Sequence, residues 1–264
     1  MTVEDALANA RIPRADAEVL LASLLGKDRP WLLAHADEPL TPEWQRTWAI
    51  WSERRRVGEP VSYITKHKEF HGRPFIVDSR VLIPRPSTEG LVDLALETLR
   101  SPRDRIVDID DGIVAAARMF RDETPSAVAD VGTGSGCIAV TIACERPDLR
   151  VIATDISRDA LDVARLNAEH LNADSRIRFF EGDGMAPLAD VIEPFLLVSN
   201  PPYVSTRAVL PRDVAQYEPH VALFAGAEGT DMLGKMLRDA EAHPKCVGVV
   251  IECARPLTDY LFRA

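Results

Sequence analysis

Hydrophobic positions along the chain follow two different rhythms. Over the first 57 residues they recur at helical spacing: Leu7, then Ala15, Val19, Leu20, Leu24 and Leu25, with Gly26 as a stop. Thr41-Pro42-Glu43 reads as a helix start, a cap residue with proline at the first helical position. The helix it opens sets Trp44, Trp48 and Trp51 on one face, which predicts the core of a small bundle rather than a ligand-stacking site. Arg54, Arg55 and Arg56 close that helix, where cations complement the dipole. Gly58 and Pro60 interrupt the pattern, and a loose alternation from Val61 to Val77 predicts a β-hairpin linking two domains.

From residue 127 the rhythm changes. Short apolar runs alternate with helical patterns, the signature of a parallel sheet. Strands are predicted over 127–131, 150–156, 177–181, 195–199 and 247–252, and helices over 137–145, 159–171 and 231–240. An earlier helix, 90–99, is entered through Val81-Leu-Ile-Pro-Arg-Pro86. Residues 101–125 are polar and charged around an apolar stretch, 113–120, and read as an inserted surface segment. Within them Ile106-Val-Asp-Ile-Asp-Asp-Gly112 mimics a nucleotide loop, but it offers one glycine and two adjacent acids. The chain thus divides into a helical domain (1–57), a hairpin linker (58–80) and an α/β domain (81–264).

Composition narrows the function classes. A formal net charge of −10 argues against a duplex nucleic acid partner, which needs a basic surface. The four cysteines, Cys137, Cys144, Cys246 and Cys253, show no CxxC pair and no ligand spacing with histidine, so no metal site is expected. They read as reduced core residues of a cytoplasmic protein. Met1-Thr-Val-Glu-Asp5 lacks the regions of a signal peptide, and no apolar run is long enough to span a bilayer.

The chemistry concentrates at predicted strand ends, where open α/β sheets bind ligands. Asp130-Val-Gly-Thr-Gly-Ser-Gly136 lies between a strand and a helix; Gly132, Gly134 and Gly136, with Thr133 and Ser135 between them, let backbone approach a ligand beside the helix N-terminus. Asp155 ends the next strand, where an acid accepts from both hydroxyls of a ribose; in isolation it would read as a helix cap. Asp183 ends the third strand and is placed to accept from an adenine amine, although an acid after Gly182 is also an ordinary turn former. The spacing is not a dinucleotide fingerprint and there is no P-loop Lys-Ser/Thr pair. A nucleoside without pyrophosphate fits: S-adenosylmethionine.

The fourth strand ends in Asn200-Pro-Pro-Tyr203, where two prolines forbid further ladder bonding and stiffen the turn. The Asn200 carboxamide oxygen and the Pro201 carbonyl are two acceptors, Pro202 fixes the backbone, and Tyr203 offers a flat ring. Together they suit a planar group with two N–H donors, an amide or an exocyclic amine.

These stretches resemble the HemK/PrmC family of protein-(glutamine N5) methyltransferases. The resemblance runs from Arg14-Ala-Asp-Ala-Glu-Val-Leu-Leu21 through Gly58-Glu-Pro-Val61, Glu69-Phe70, Leu82-Ile-Pro-Arg-Pro86 with Thr88-Glu89, Asp130–Gly136 and Asn200–Tyr203 to Tyr217-Glu-Pro219. It implies a Rossmann-like methyltransferase sheet behind a helical N-terminal domain that helps dock a peptide-chain release factor. It further implies methyl transfer to the glutamine of that factor's Gly-Gly-Gln loop, with Asn200, Pro201 and Tyr203 as catalytic residues and Pro202 beside them in the substrate site. Asn200 would also touch the cofactor. Rivals are methylation of a nucleic-acid base amine and a degenerate, non-catalytic cofactor-binding module.

Three departures from the family carry expectations. Ser87 stands where an acid is usual. Gly184 replaces a larger residue that often lines the adenine pocket, which predicts weak cofactor affinity. Beyond Glu252 only residues 253–264 remain, where the family continues into a helix and the last two strands. Residues 247–252 would then be an open apolar sheet edge, which predicts self-association through it.

Overall fold

The computed structural model describes residues 1–110 and 112–262. Asp111 of the false nucleotide loop and residues 263–264 of the short tail lie outside the described residues. The chain divides into two compact units, residues 1–67 with 210–217, and residues 68–209 with 218–264.

The first unit is helical: α1 (Val3–Ala8), α2 (Arg14–Leu25), α3 (Arg29–Ala34), α4 (Pro42–Arg56), α5 (Val61–Thr65) and, from the later segment, α9 (Arg212–Tyr217). Thr41 caps α4 by accepting the Trp44 N–H at 3.2 Å, as its start signal predicts. Trp48 is buried with Leu20, Leu21 and Leu32, and Trp31, Trp44 and Trp51 pack against that core. The closing arginines are individually matched: Arg54 to Glu59 at 2.6 Å, Arg55 to Asp16 at 2.7 Å and Arg56 to Glu53 at 2.6 Å. One expectation fails here. The segment from Val61 is a helical turn, and the hairpin begins only at β1 (His67–Phe70) and β2 (Arg73–Ile76). Tyr63 and Ile64 are both buried, so the alternation was that of a short helix burying adjacent positions.

The second unit holds a seven-stranded sheet. Its strands are β3 (Arg105–Asp110), β4 (Ile113–Met119), β5 (Ala127–Val131), β6 (Arg150–Asp155), β7 (Ile177–Glu181), β8 (Phe195–Ser199) and β9 (Cys246–Ala254), in the order β3-β4-β9-β8-β5-β6-β7. The five strands from β9 to β7 run parallel. Helices α6 (Pro86–Arg100) and α7 (Cys137–Glu145) pack on one face, joined by Ala168 of α8 (Arg158–His170). Helix α10 (Asp231–Ala242) and Leu261 of α11 (Thr258–Phe262) cover the other. Helix α6 starts at Pro86, earlier than the predicted Gly90, because proline suits the first helical position.

The sheet corrects two further expectations. Residues 101–125 are not a surface insertion, and the sheet does not lack its last strands. The hairpin β3–β4 lies antiparallel along β9, with Ile113 opposite Ala254 and Met119 opposite Gly248. Val114 and Ala116 join one core while Ala115 and Ala117 join the other, which is why the stretch reads as continuously apolar. Two glycines admit it. A Cβ at Gly248 would lie 2.7 Å from the Arg118 carbonyl oxygen, and one at Gly90 would lie 2.0 Å from Ile109 Cγ2. Residues 247–252 therefore present no free ladder, and the basis for self-association there is removed. The outer edge is instead β3, whose Arg105 pairs with Glu97 and whose Asp108 pairs with Arg255, charges that blunt an edge.

Candidate functional site

Strand order reverses at β5: chain order continues to β6 and β7 on one side and to β8 and β9 on the other. Such a switch point leaves a crevice at the carboxyl ends of the strands. Here it is an open cleft lined by Gly132, Gly134, Asp155, Asp183, Asn200 and Pro201, with apolar walls that include Ile156, Met232 and Met236. Apolar walls with a few convergent polar groups suit a small-molecule ligand.

The loops bordering the cleft are tied to one another. Gly132 and Thr133 donate their backbone N–H to the Thr154 carbonyl, both at 2.9 Å, and Gly182 donates to the Asp155 carbonyl at 2.9 Å. Ser199 Oγ donates to the Val131 carbonyl at 2.6 Å, joining the ends of β8 and β5. Gly132 and Gly134 have positive φ, 76° and 54°, and no atom lies within 4 Å of where a Cβ would stand. The absent side chains leave open space beside the backbone, the cradle that a nucleoside requires.

The remaining positions of that loop face inward. Thr133 is buried and donates to Asp130 Oδ2 at 2.6 Å, and Ser135 is buried with its carbonyl accepting from Asn167 Nδ2 at 2.8 Å. A Cβ on Gly136 would meet Ala164 Cβ at 3.0 Å, so this glycine serves the packing of α7 on α8. None of Thr133, Ser135 and Gly136 lines the cleft. Asp130 holds the loop from behind, accepting also from the Ala139 N–H at 3.1 Å. Burial pushes its carboxyl up to about 7, against the pull of the Thr133 and Ala139 hydrogen bonds.

Asp155 reaches the cleft with work already done. Its Oδ2 accepts the Gly134 N–H and its Oδ1 the Ser157 N–H, each at 2.9 Å. Burial raises its carboxyl above the ordinary value, and those backbone bonds oppose the rise. Each oxygen keeps a further lone pair, so capping and ribose binding are compatible. Asp183 also lines the cleft, but Lys235 of α10 pairs with it. Gly184 has a φ of 56°, and the Lys235 Nζ lies 3.9 Å from where its Cβ would stand. The left-handed backbone explains the glycine, and α10 supplies the wall.

On the opposite bank Asn200 Nδ2 donates to Thr88 Oγ1 at 2.9 Å, and Oδ1 accepts no hydrogen bond among the described residues. Pro201 and Pro202 border the cleft, whereas Tyr203 stands behind it, its hydroxyl donating to Glu252 Oε1 at 3.0 Å. Burial and the nearby Glu252 charge raise the Tyr203 phenol well above its usual range. The turn is buttressed from Val204, whose N–H donates to the Leu223 carbonyl at 3.0 Å. Two supports were given no role from sequence. Glu218 is buried and accepts from Arg85 Nη2 at 2.6 Å and from the Ile83 N–H at 3.3 Å, joining two of the stretches quoted above. Glu252 is wholly buried. Its signal was an acid inside an otherwise apolar strand, a residue that needs partners.

Comparison with known proteins decides the family. The PrmC N-terminal domain family matches residues 2–65 and the methyltransferase small domain family matches residues 106–217. A release factor glutamine methyltransferase from Chlorobaculum tepidum is 44% identical over 218 residues, covering 81% of this chain and 69% of that protein. The chain belongs to the release factor glutamine methyltransferases. Members from Koribacter versatilis (39% identical over 88% of this chain and 76% of that protein) and Bordetella pertussis (37% over 89% and 78%) agree. In this methyltransferase no described group of histidine, cysteine or acidic side chains is arranged to hold a metal, and no described helix is long and apolar enough to cross a membrane.

Proposed function

We propose that this chain transfers a methyl group from S-adenosylmethionine to the side-chain amide nitrogen of a glutamine in a peptide-chain release factor, in the cytoplasm. Membership of the family makes the chain an S-adenosylmethionine-dependent methyltransferase. The observation that carries the choice of acceptor is the family membership, 44% identity to a release factor glutamine methyltransferase over 81% of this chain; Asn200, its amide nitrogen tied to Thr88, is compatible with an amide acceptor.

When bound, S-adenosylmethionine supplies an electrophilic methyl group. Gly132 and Gly134 would lie against it, Asp155 would take the ribose hydroxyls, and Asp183 would face the adenine. Asn200 would touch both cofactor and substrate. On the acceptor side an amide nitrogen is a poor nucleophile, because its lone pair is delocalised into the carbonyl. Asn200 Oδ1 and the Pro201 carbonyl would each accept one N–H and so orient that nitrogen into the cleft. Pro202 keeps the turn rigid, and Tyr203, held by Glu252 behind the cleft, would steady it rather than touch the amide. Positioning of this kind supplies as much as ~7–11 kcal/mol of barrier lowering in the best intramolecular cases. No strong base is required before transfer, because the methylated amide is transiently cationic and sheds its proton afterwards. The helical unit would help dock the release factor.

The test is incubation with labelled cofactor and either a release factor, the same factor with its loop glutamine replaced by alanine, or nucleic acid. Label is expected in the unaltered factor alone. Label in nucleic acid would support base-amine methylation, and label in none of the three would point to a binding module.

A further inference from the structure

A two-stranded hairpin is marginal by itself, so β1–β2 depends on what holds it from outside. Phe70 and Phe75 enter the core, edge to face with ring centroids 5.9 Å apart, and Arg73 pairs with Glu145 of α7 at 2.6 Å. The end of β2 is held differently. Asn167, wholly buried on α8, accepts the Ile76 N–H on Oδ1 at 2.7 Å and donates from Nδ2 to the Ile76 carbonyl at 2.9 Å. Its carboxamide pairs with Ile76 as a peptide group of a neighbouring strand would. The other hydrogen of Nδ2 goes to the Ser135 carbonyl at 2.8 Å, behind the glycine loop of the cleft. The orientation of the carboxamide is thereby fixed, since the Ile76 N–H requires its oxygen and the two carbonyls require its NH2.

The loop that Asn167 reaches needs such a hold. Gly132, Gly134 and Gly136 all take positive φ, 76°, 54° and 80°, and glycine has the most conformational freedom to lose. Gly132 and Thr133 are tied to Thr154, Gly134 to Asp155, and Gly136 to the Thr133 carbonyl at 2.8 Å. At Ser135 the hold comes from α8. We propose that Asn167 is a positioning residue for the cofactor: it locks the Ser135 carbonyl to the backbone of Ile76, keeps the glycine loop in its binding shape, and couples the order of that loop to the end of β2. The role rests on the function proposed above, in which the cofactor lies against Gly132 and Gly134; the three hydrogen bonds do not. A loop that must be ordered by its ligand binds more weakly by the fraction of time it is competent. Losing the tie therefore weakens cofactor binding and leaves the transfer step alone.

The experiment has two readouts, both with S-adenosylhomocysteine, the demethylated cofactor, as probe. In the wild type, amide hydrogen exchange is followed with and without saturating probe. Exchange at Ile76, which does not line the cleft, should slow by about tenfold. The Gly72 amide, held by Glu69 within the hairpin at 2.7 Å, should keep its rate within about twofold. Slowing at Gly132 and Gly134 with none at Ile76, or equal slowing at Ile76 and Gly72, overturns this proposal alone. No slowing at either glycine overturns the cofactor reading and this proposal with it. The second readout is calorimetry on variants whose circular dichroism is that of the wild type. Asn167→Ala should bind the probe about tenfold more weakly, with kcat at saturating cofactor within about threefold. Leu161→Val, a buried change on the same helix, should leave affinity within about twofold. Unchanged affinity in Asn167→Ala, or an equal loss in Leu161→Val, would show a merely structural role. Should Asn167→Ala fail to fold, the exchange of Ile76 against Gly72 decides.

Discussion

The two banks of the cleft differ in how their polar groups are matched before any ligand arrives. On the bank formed by β5, β6 and β7, the acids already hold partners: Asp155 grips Gly134 and Ser157, Asp130 grips Thr133 and Ala139, and Asp183 faces Lys235. On the bank formed by β8, only the back of Asn200 is matched, and its oxygen waits without a donor. A ligand on the first bank adds hydrogen bonds to groups that are already oriented. A ligand on the second would complete a group that is otherwise incomplete. On the function proposed above, the first bank would serve affinity and the second rate.

Removing Asn200 Oδ1 should break this contrast most severely. Asn200→Ala is expected to lower methyl transfer by about 10²- to 10³-fold, with much less change in cofactor affinity by calorimetry. Equal losses in rate and in affinity would mean that both banks serve the cofactor. The next effect belongs to Asp130. Its folded-state value near 7 lies above the unfolded carboxylate range, so the folded protein holds the proton more tightly. That contribution favours folding at low pH and is lost as pH rises from about 4 to about 7, on the order of a few kcal/mol. Urea denaturation of the cofactor-free protein at the two ends of that window should show the fall, and Asp130→Asn, uncharged throughout, should flatten it.

Asp155→Ala sharpens the contrast from the other side. Losing a charge-assisted acceptor costs on the order of 1.5–3 kcal/mol, or at least tenfold in cofactor affinity. Because Asp155 also holds Gly134 and Ser157, the melting temperature without cofactor should fall as well. A drop in melting temperature with unchanged affinity would leave Asp155 as a cap only. The smallest effect is expected at Lys235, whose exposed pairing with Asp183 is of a kind worth little in water. Lys235→Ala should shift cofactor affinity by no more than about threefold, and a large loss would show that Lys235 touches the ligand itself.

The parts of this architecture that were legible in the sequence are those whose physics is local. A proline turn after an apolar run, glycines between a strand and a helix, and an acid at the next strand end need nothing remote to be read. What the pattern could not show is which glycine borders the cleft: Gly132 and Gly134 do, whereas Gly136 answers to Ala164 on α8. The β3–β4 hairpin was illegible for a stronger reason. Val114 to Ala117 is rich in alanine, a weak strand former, and its partner β9 lies far along the chain. Only that pairing makes residues 113–119 a strand. Glu252 was missed for the same cause, since its partners Ser87 and Tyr203 come from two remote stretches, the start of α6 and the turn after β8.

The position of the hairpin has a consequence for how the protein acquires its shape. Both neighbours of β9, β4 and β8, are synthesised before it, so neither pairing can form until β9 has been made. Contacts spanning such long loops are slow to form, and until they form the apolar residues of 113–119 and the unpaired side of β8 are open to misassociation. A chaperone that shields strand edges would find its binding site in that interval. The same insertion carries Glu252 into the interior, so its hydrogen bonds to Tyr203 and Ser87, behind the Asn200 turn, are made only by the strand that closes the sheet.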